Sequence, residues 1–198
     1  VSTPTPPDAE NPFVTRRVRP GAIPYFFPPH VDAAALVDQW RAAGRRGAIV
    51  GPHGSGKSTL LAALRGALAQ SGHTTHLVEL HDDQHRLPRE PLATAAAGDV
   101  LLIDGFEQLG LLSRWRLGLL CRRRRLGLLI TAHRETGIPT LLRTSIDASL
   151  ARRVVDHLLG PEPERITDSD LAQSLRRHRG DLREVLFEMY DLYESRKP

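Results

Sequence analysis

Apolar positions along this chain switch between two spacings. Gly47-Ala48-Ile49-Val50 is a short apolar run, and Leu60, Leu61, Leu64 and Leu68 beyond it recur at helical intervals. Together they predict a strand at about 46–50, a turn, and a helix to about 70 that ends at Ser71-Gly72. Upstream, Val31, Ala34, Ala35, Leu36, Val37 and Trp40 give a helix over 31–43 a broad apolar face, closed by Gly44. Downstream, 74–80 reads as a strand and 81–98 as a loop with a short helix. Val100-Leu101-Leu102-Ile103, between Asp99 and Asp104, is a continuous apolar run that suits a strand covered on both faces of a parallel sheet. A helix over 107–125 sets Leu109, Leu112, Trp115, Leu119 and Leu120 on one side. Leu126 to Ile130 is another buried strand, and 139–146 a fifth. Asp147 caps a helix to about 159, stopped by Gly160-Pro161-Glu162-Pro163. Residues 166–196 hold two helices, the first opened by Asp168-Ser169-Asp170 and broken by Gly180, the second opened by Asp181. Leu182, Val185, Leu186, Met189, Tyr190 and Tyr193 form the core face of the second.

Strands alternating with helices predict an α/β fold: about five parallel strands flanked by helices, followed by a small C-terminal helical lid. The expected divisions are a disordered tail over 1–12, an extended strap over 13–30, a core over 31–146 and the lid over 147–198. The tail is rich in proline. The strap is different: Phe13, Tyr25, Phe26 and Phe27 sit among prolines and arginines, too apolar to stay in water and too interrupted for regular structure. Its aromatic rings are either simple packing on the core or a platform for a nucleobase.

Charge and composition narrow the class. A chain of 198 residues with 40% hydrophobic and 25% charged residues fits a globular domain with a real core. The net charge of +4 is compatible with nucleic acid without requiring it. The single cysteine, Cys121, excludes an internal disulfide. No apolar run approaches the ~18 residues of a membrane span, and the proline-rich start is unlike a signal peptide. The expectation is a soluble cytoplasmic protein. His81 and His85 share a helical spacing but fall in an expected loop, so they are not taken as a metal pair.

The chemistry concentrates in residues 51–59. Gly51-Pro52-His53-Gly54-Ser55-Gly56-Lys57-Ser58-Thr59 matches G-x-x-x-x-G-K-[ST] between a strand and a helix. Glycines let successive backbone N–H groups turn inward as an anion nest, backed by a helix N-terminus. Lys57 adds a point charge for β- and γ-phosphates, and the Ser58 hydroxyl suits Mg²⁺. The chain has two lysines, Lys57 and Lys197, against 25 arginines. A compact ammonium is thus retained where a planar guanidinium would not fit. Asp104, at the end of its buried strand, is the expected carboxylate for Mg²⁺, held through water. Glu107 is placed to aim an attacking water, with Gln108 as the alternative and a helix-capping role as the plainer one. Thr131 and His133 arrive at the same sheet edge, where they can orient water or sense a γ-phosphate, or simply build the loop. Arg122 to Arg125 complement a helix C-terminus or contact phosphate of a nucleic acid or of a neighbouring subunit's nucleotide.

The assembled pattern resembles the P-loop NTPases, and among them the branch holding the AAA+ and related signalling ATPases. Four stretches within about 17–195 carry it: Arg19-Pro20 before the first helix and loop, Asp104-Gly105-Phe106-Glu107 as Walker B, Thr131-Ala132-His133 in the sensor-1 place, and Gly180-Asp181-Leu182-Arg183-Glu184 as the sensor-2 turn of the lid. The resemblance implies ATP as ligand, Arg183 as a further phosphate contact, and coupling of nucleotide state to a change of shape or partner. That partner is an unidentified protein, with oligomer formation compatible. No arginine finger matches the family's pattern; Arg134, Arg143 and the Arg122–Arg125 cluster are the candidates. The loop also looks like that of ABC ATPases, but no L-S-G-G-Q follows, and only 47 positions separate Lys57 from Asp104. No guanine-specific N-K-x-D motif occurs. The alternatives are a small-molecule kinase and a switch or scaffold that binds ATP without turnover.

Overall fold

The computed structural model describes residues 11–80, 87–160 and 165–196. His81, His85 and most of the expected tail lie outside them. The chain divides into two compact units: Pro24–Ser145, and the residues up to Ile23 together with those from Ile146 onward.

In chain order the first elements are α1 (Thr15–Val18), α2 (Ala33–Ala42), β1 (Arg46–Val50), α3 (Lys57–Gln70), β2 (Thr75–Glu79) and α4 (Arg89–Thr94). Then come β3 (Val100–Asp104), a 3-10 turn at Phe106–Gln108, α5 (Leu111–Arg124), β4 (Gly127–Ala132) and β5 (Thr140–Arg143). Three helices close the chain: α6 (Ala148–Leu159), α7 (Asp168–Arg177) and α8 (Leu182–Ser195).

The larger unit is built on a five-stranded parallel sheet in the order β2-β3-β4-β1-β5. Strand alternation sorts its side chains into two layers. Leu101, Ile103, Leu128 and Ile130 pack with Leu117 and Cys121 of α5. Val100, Leu102, Ile49 and Leu129 pack with Leu36, Val37 and Trp40 of α2 and with Leu60, Leu61, Leu64 and Leu68 of α3. Both faces are therefore covered, which is why β3 and β4 read as unbroken apolar runs. Trp40 is 1% exposed, and its indole N–H still finds a partner, donating to the Leu128 carbonyl at 3.1 Å.

Several expectations change. In α2 only Leu36, Val37 and Trp40 are buried; Ala34 and Ala35 face solvent, and Asp32 is the N-cap, accepting from Ala35 N–H. The helix expected over 107–125 is two pieces. Gly105 is left-handed and Leu109 and Gly110 are extended, so the 3-10 turn ends before α5 begins. That break resets the helical face: Leu117 and Cys121, one turn apart, point inward, while Leu112 and Trp115 are 73% and 67% exposed. The segment 13–30 is not uniformly extended, since Asn11 and Phe13 feed the α1 turn while Tyr25 and Phe27 pack on the α2–α3 core layer.

In the smaller unit, Phe13 is buried edge-on to Tyr193, with ring centroids 6.1 Å apart. Asn11 donates to the Tyr190 carbonyl and to Glu194. The N-terminal segment thus joins α8 rather than the sheet. Thr167, not Asp168, caps α7 through a capping box with Asp170. Tyr190, expected in the core face of α8, is exposed, because the face turns on Val185, Leu186, Met189 and Tyr193. Among the described residues no helix is long and apolar enough to cross a membrane.

Candidate functional site

Parallel strands deliver their C-terminal ends to one edge, and here that edge gathers the loop after β1, Asp104 of β3, Thr131 of β4 and the residues after β5. β4 lies between β1 and β3, so the aspartate strand is not adjacent to the loop strand.

The loop is held from several sides. Gly56 has φ +85° and opens α3, a left-handed turn that favours glycine. Gly51 allows a close approach: a β-carbon there would stand 2.2 Å from Thr144 Oγ1. Ser55 Oγ donates to the Pro52 carbonyl at 2.8 Å and lies 2.7 Å from Thr144 Oγ1. Thr144 N–H donates to the Val50 carbonyl. Thr144 was not legible in the sequence, since nothing at one residue marks a contact 89 positions away. Lys57 is the first residue of α3 and is buried; its ammonium donates to the Gly51 and Pro52 carbonyls at 2.9 and 2.6 Å. These two partners are neutral dipoles of the loop itself. Ser58 follows it at the start of the helix, half-buried.

Asp104 is tied to β4. The Thr131 hydroxyl donates to Asp104 Oδ1 at 2.5 Å and accepts from Gly105 N–H at 2.9 Å. Thr131 is 1% exposed, so one buried hydroxyl sets both the carboxylate and the turn after it. Glu107 is in that turn. His133 Nε2 stands 3.1 Å from Glu107 Oε1, while Glu107 Oε2 is buried with no hydrogen-bond partner among the described residues. The His133 ring in turn lies 3.9 Å from the His53 ring of the loop, centroid to centroid. Burial holds the His133 imidazole below the ordinary histidine range; the Glu107 carboxylate opposes this, and Lys57 and His53 reinforce it. The His53–His133 contact was not read from sequence, though both residues were singled out.

Arg114 of α5 braces the same turn, donating to the Glu107 and Leu109 carbonyls and lying over the Phe106 ring. From the strap, Tyr25 reaches the loop: its Cε2 is 3.6 Å from a β-carbon built at Gly56, and burial raises its phenol above the usual range. Gln108 lies on the 3-10 turn beside Glu107. Arg183 belongs to the smaller unit, at the start of α8, with its guanidinium 5.8 Å from the Phe187 ring. Arg143 is paired with Glu135. Of the arginine cluster, Arg124 donates to the Leu92 carbonyl and Arg125 is the left-handed cap of α5. Among the described residues no group of three or more His, Cys, Asp or Glu side chains is arranged to hold a metal. The oxygen pair of Ser58 and Asp104, a hydroxyl and a carboxylate, suits a hard cation that keeps most of its water.

Comparison with known proteins agrees with this architecture. A family model described as ABC transporter matches residues 41–108, from the end of α2 to the 3-10 turn. No curated protein matches in sequence. Among solved structures, RuvB of Thermotoga maritima superposes with a TM-score of 0.53 at 15% identity, over 78% of this chain and 58% of that one. A DNA replication initiation factor gives 0.56 at 12% identity, over 78% and 57%. The Walker-type ATPase PABY2304 of Pyrococcus abyssi gives 0.55 at 10% identity, over 88% and 69%. The chain has the fold of P-loop NTPases. It spans less than two thirds of the RuvB and initiation-factor chains.

Proposed function

We propose that the protein binds ATP in the Gly51–Thr59 loop and hydrolyses it with Mg²⁺, as a nucleotide-driven switch or motor module. The observation that carries this is the convergence, on one sheet edge, of a glycine loop ending in buried Lys57 with a Thr131-anchored Asp104 and a Glu107 that has one oxygen unpartnered among the described residues. Backbone N–H groups of the loop bind the phosphates, and Lys57 shifts from the Gly51 and Pro52 carbonyls to the β- and γ-oxygens. Ser58 and Asp104 are the residues that would hold Mg²⁺, which supplies charge neutralisation of the phosphates when bound. Glu107 orients the attacking water and takes its proton. Thr131 keeps Asp104 in place, and His133 fixes Glu107.

The test pairs two variants. Lys57→Ala is expected to lower ATP affinity at least about 100-fold, read by calorimetry; unchanged affinity removes the proposed site. Glu107→Gln is expected to keep affinity and lose about 10²–10⁴ in turnover, the usual contribution of a general base. Turnover at the wild-type rate would place the base elsewhere.

A further inference from the structure

The outer face of α5 is the least explained surface of the larger unit. Leu111, Leu112 and Trp115 are 81%, 73% and 67% exposed. Their spacing puts them together on the first turns of the helix. A single exposed leucine is ordinary, but a cluster of two leucines and a tryptophan keeps apolar area in water that a partner would cover. Tryptophan is also the side chain most enriched among residues that dominate binding energy.

The same helix carries Arg114, Arg116, Arg122, Arg123 and Arg124 and no acidic residue. Arg116, Arg122 and Arg123 are exposed. The two features are separated along the axis: Leu112 and Arg123 are ~16 Å apart at the rise of an α-helix. In a parallel sheet the apolar end lies at the edge that holds Glu107, and the cationic end at the opposite edge. This division favours a protein segment over nucleic acid. A polynucleotide would set phosphates beside the leucines, which offer them nothing, whereas a helix with apolar residues at one end and carboxylates at the other matches both.

We propose that α5 is the docking surface for an amphipathic helical segment of a partner protein, apolar where it meets Leu111, Leu112 and Trp115 and acidic where it meets Arg122 and Arg123. This goes beyond the nucleotide reading and does not depend on it.

A phage-displayed library of helical peptides, randomised on one face, tests it. The library is panned on the full chain after subtraction on the Leu112→Ser/Trp115→Ser variant. Enriched peptides are synthesised and titrated by tryptophan fluorescence. Trp40 is buried, so a shift on binding reports Trp115. The expected peptides carry Leu or Phe at helical spacing and Asp or Glu towards one end. Their affinity should fall at least about 10-fold in Trp115→Ser, followed there by the anisotropy of a dye-labelled peptide because the variant lacks the reporter, and again in Arg122→Glu/Arg123→Glu, about 1.4 kcal/mol each. If the double serine variant does not fold by circular dichroism, Leu111→Glu replaces it for subtraction. Four results overturn the proposal: no enrichment over the subtracted variant, enrichment of peptides without acidic residues, tighter binding of a single-stranded oligonucleotide or of anionic vesicles through Trp115, or self-association of the chain that Trp115→Ser abolishes.

Discussion

Thr131→Val tests the bond network at the heart of the site, because it removes one oxygen and keeps the shape. Thr131 is 1% exposed, and its hydroxyl makes two bonds in opposite senses, donating to Asp104 Oδ1 at 2.5 Å and accepting from Gly105 N–H at 2.9 Å. Valine leaves no cavity, so the transfer and void terms of a truncation are absent. What is lost is a hydrogen bond to a charged acceptor, about 1.5–3 kcal/mol, and a partner for the Gly105 N–H, about 1–3 kcal/mol. Asp104 and Gly105 are half-buried, so water recovers part of both. The expected net loss is about 2–3 kcal/mol. Thr131→Ser keeps both bonds and loses one methyl, about 1 kcal/mol. Urea unfolding followed by circular dichroism measures both, and the valine variant should shift the midpoint down by about 1 M at unchanged slope. If the two compact units unfold separately, only the transition of residues 24–145 should move. A valine variant as stable as wild type, or a serine variant less stable than valine, refutes the assignment of that hydroxyl as the shared anchor.

Three further outcomes follow from other contacts. Arg114→Ala removes the donors to the Glu107 and Leu109 carbonyls and the cation over Phe106; ATP affinity should hold while turnover falls about 10-fold or more, measured by steady-state hydrolysis. In the smaller unit, the Ser174 hydroxyl, with His178 and Arg177 beside it, holds the Glu188 carboxyl below its usual range against the opposing effect of burial. A depressed carboxylate stabilises the fold above its ordinary pKa, and that stability is lost as pH falls through the carboxylate range towards the folded value. The stability of the wild type, measured by urea unfolding, should therefore weaken from about pH 5 downward, and Glu188→Gln should flatten that slope. Burial pushes the Cys121 thiol up to about 11, so a thiol reagent at pH 8 should label it only as fast as the protein opens, and at full rate in denaturant.

Local patterns along the chain carried most of the fold. β1, β3 and β4 were legible because their residues are buried on both faces and read as unbroken apolar runs. The loop was legible because phosphate binding demands several residue types at fixed spacing. Trp115 and Leu112 were misread because a helical apolar stripe is taken to face the core, and nothing local revealed that Leu109 and Gly110 would break the helix and rotate its face. Thr144 and the His53–His133 contact escaped for another reason: both are set by which strands become neighbours, a property of sheet order.

That sheet order also explains how the site divides its work. Placing β4 between the loop strand and the aspartate strand gives Thr131 and His133 two different neighbours. Thr131 still lies within the strand and reaches sideways to Asp104. His133, just beyond the strand end, meets Glu107 on one side and His53 of the loop on the other. The two oxygens of Glu107 are thereby made unequal: Oε1 faces an imidazole, and Oε2 is buried with no partner among the described residues. A buried carboxylate oxygen left without a donor is costly, and a water donating to it is the simplest relief. In the proposed reaction that water is the nucleophile, aimed by a carboxylate whose other oxygen His133 already holds. In the same proposed reaction, a movement of His53 on phosphate binding would reach Glu107 through the His53–His133 ring contact, linking binding to hydrolysis within a few side chains of one sheet edge.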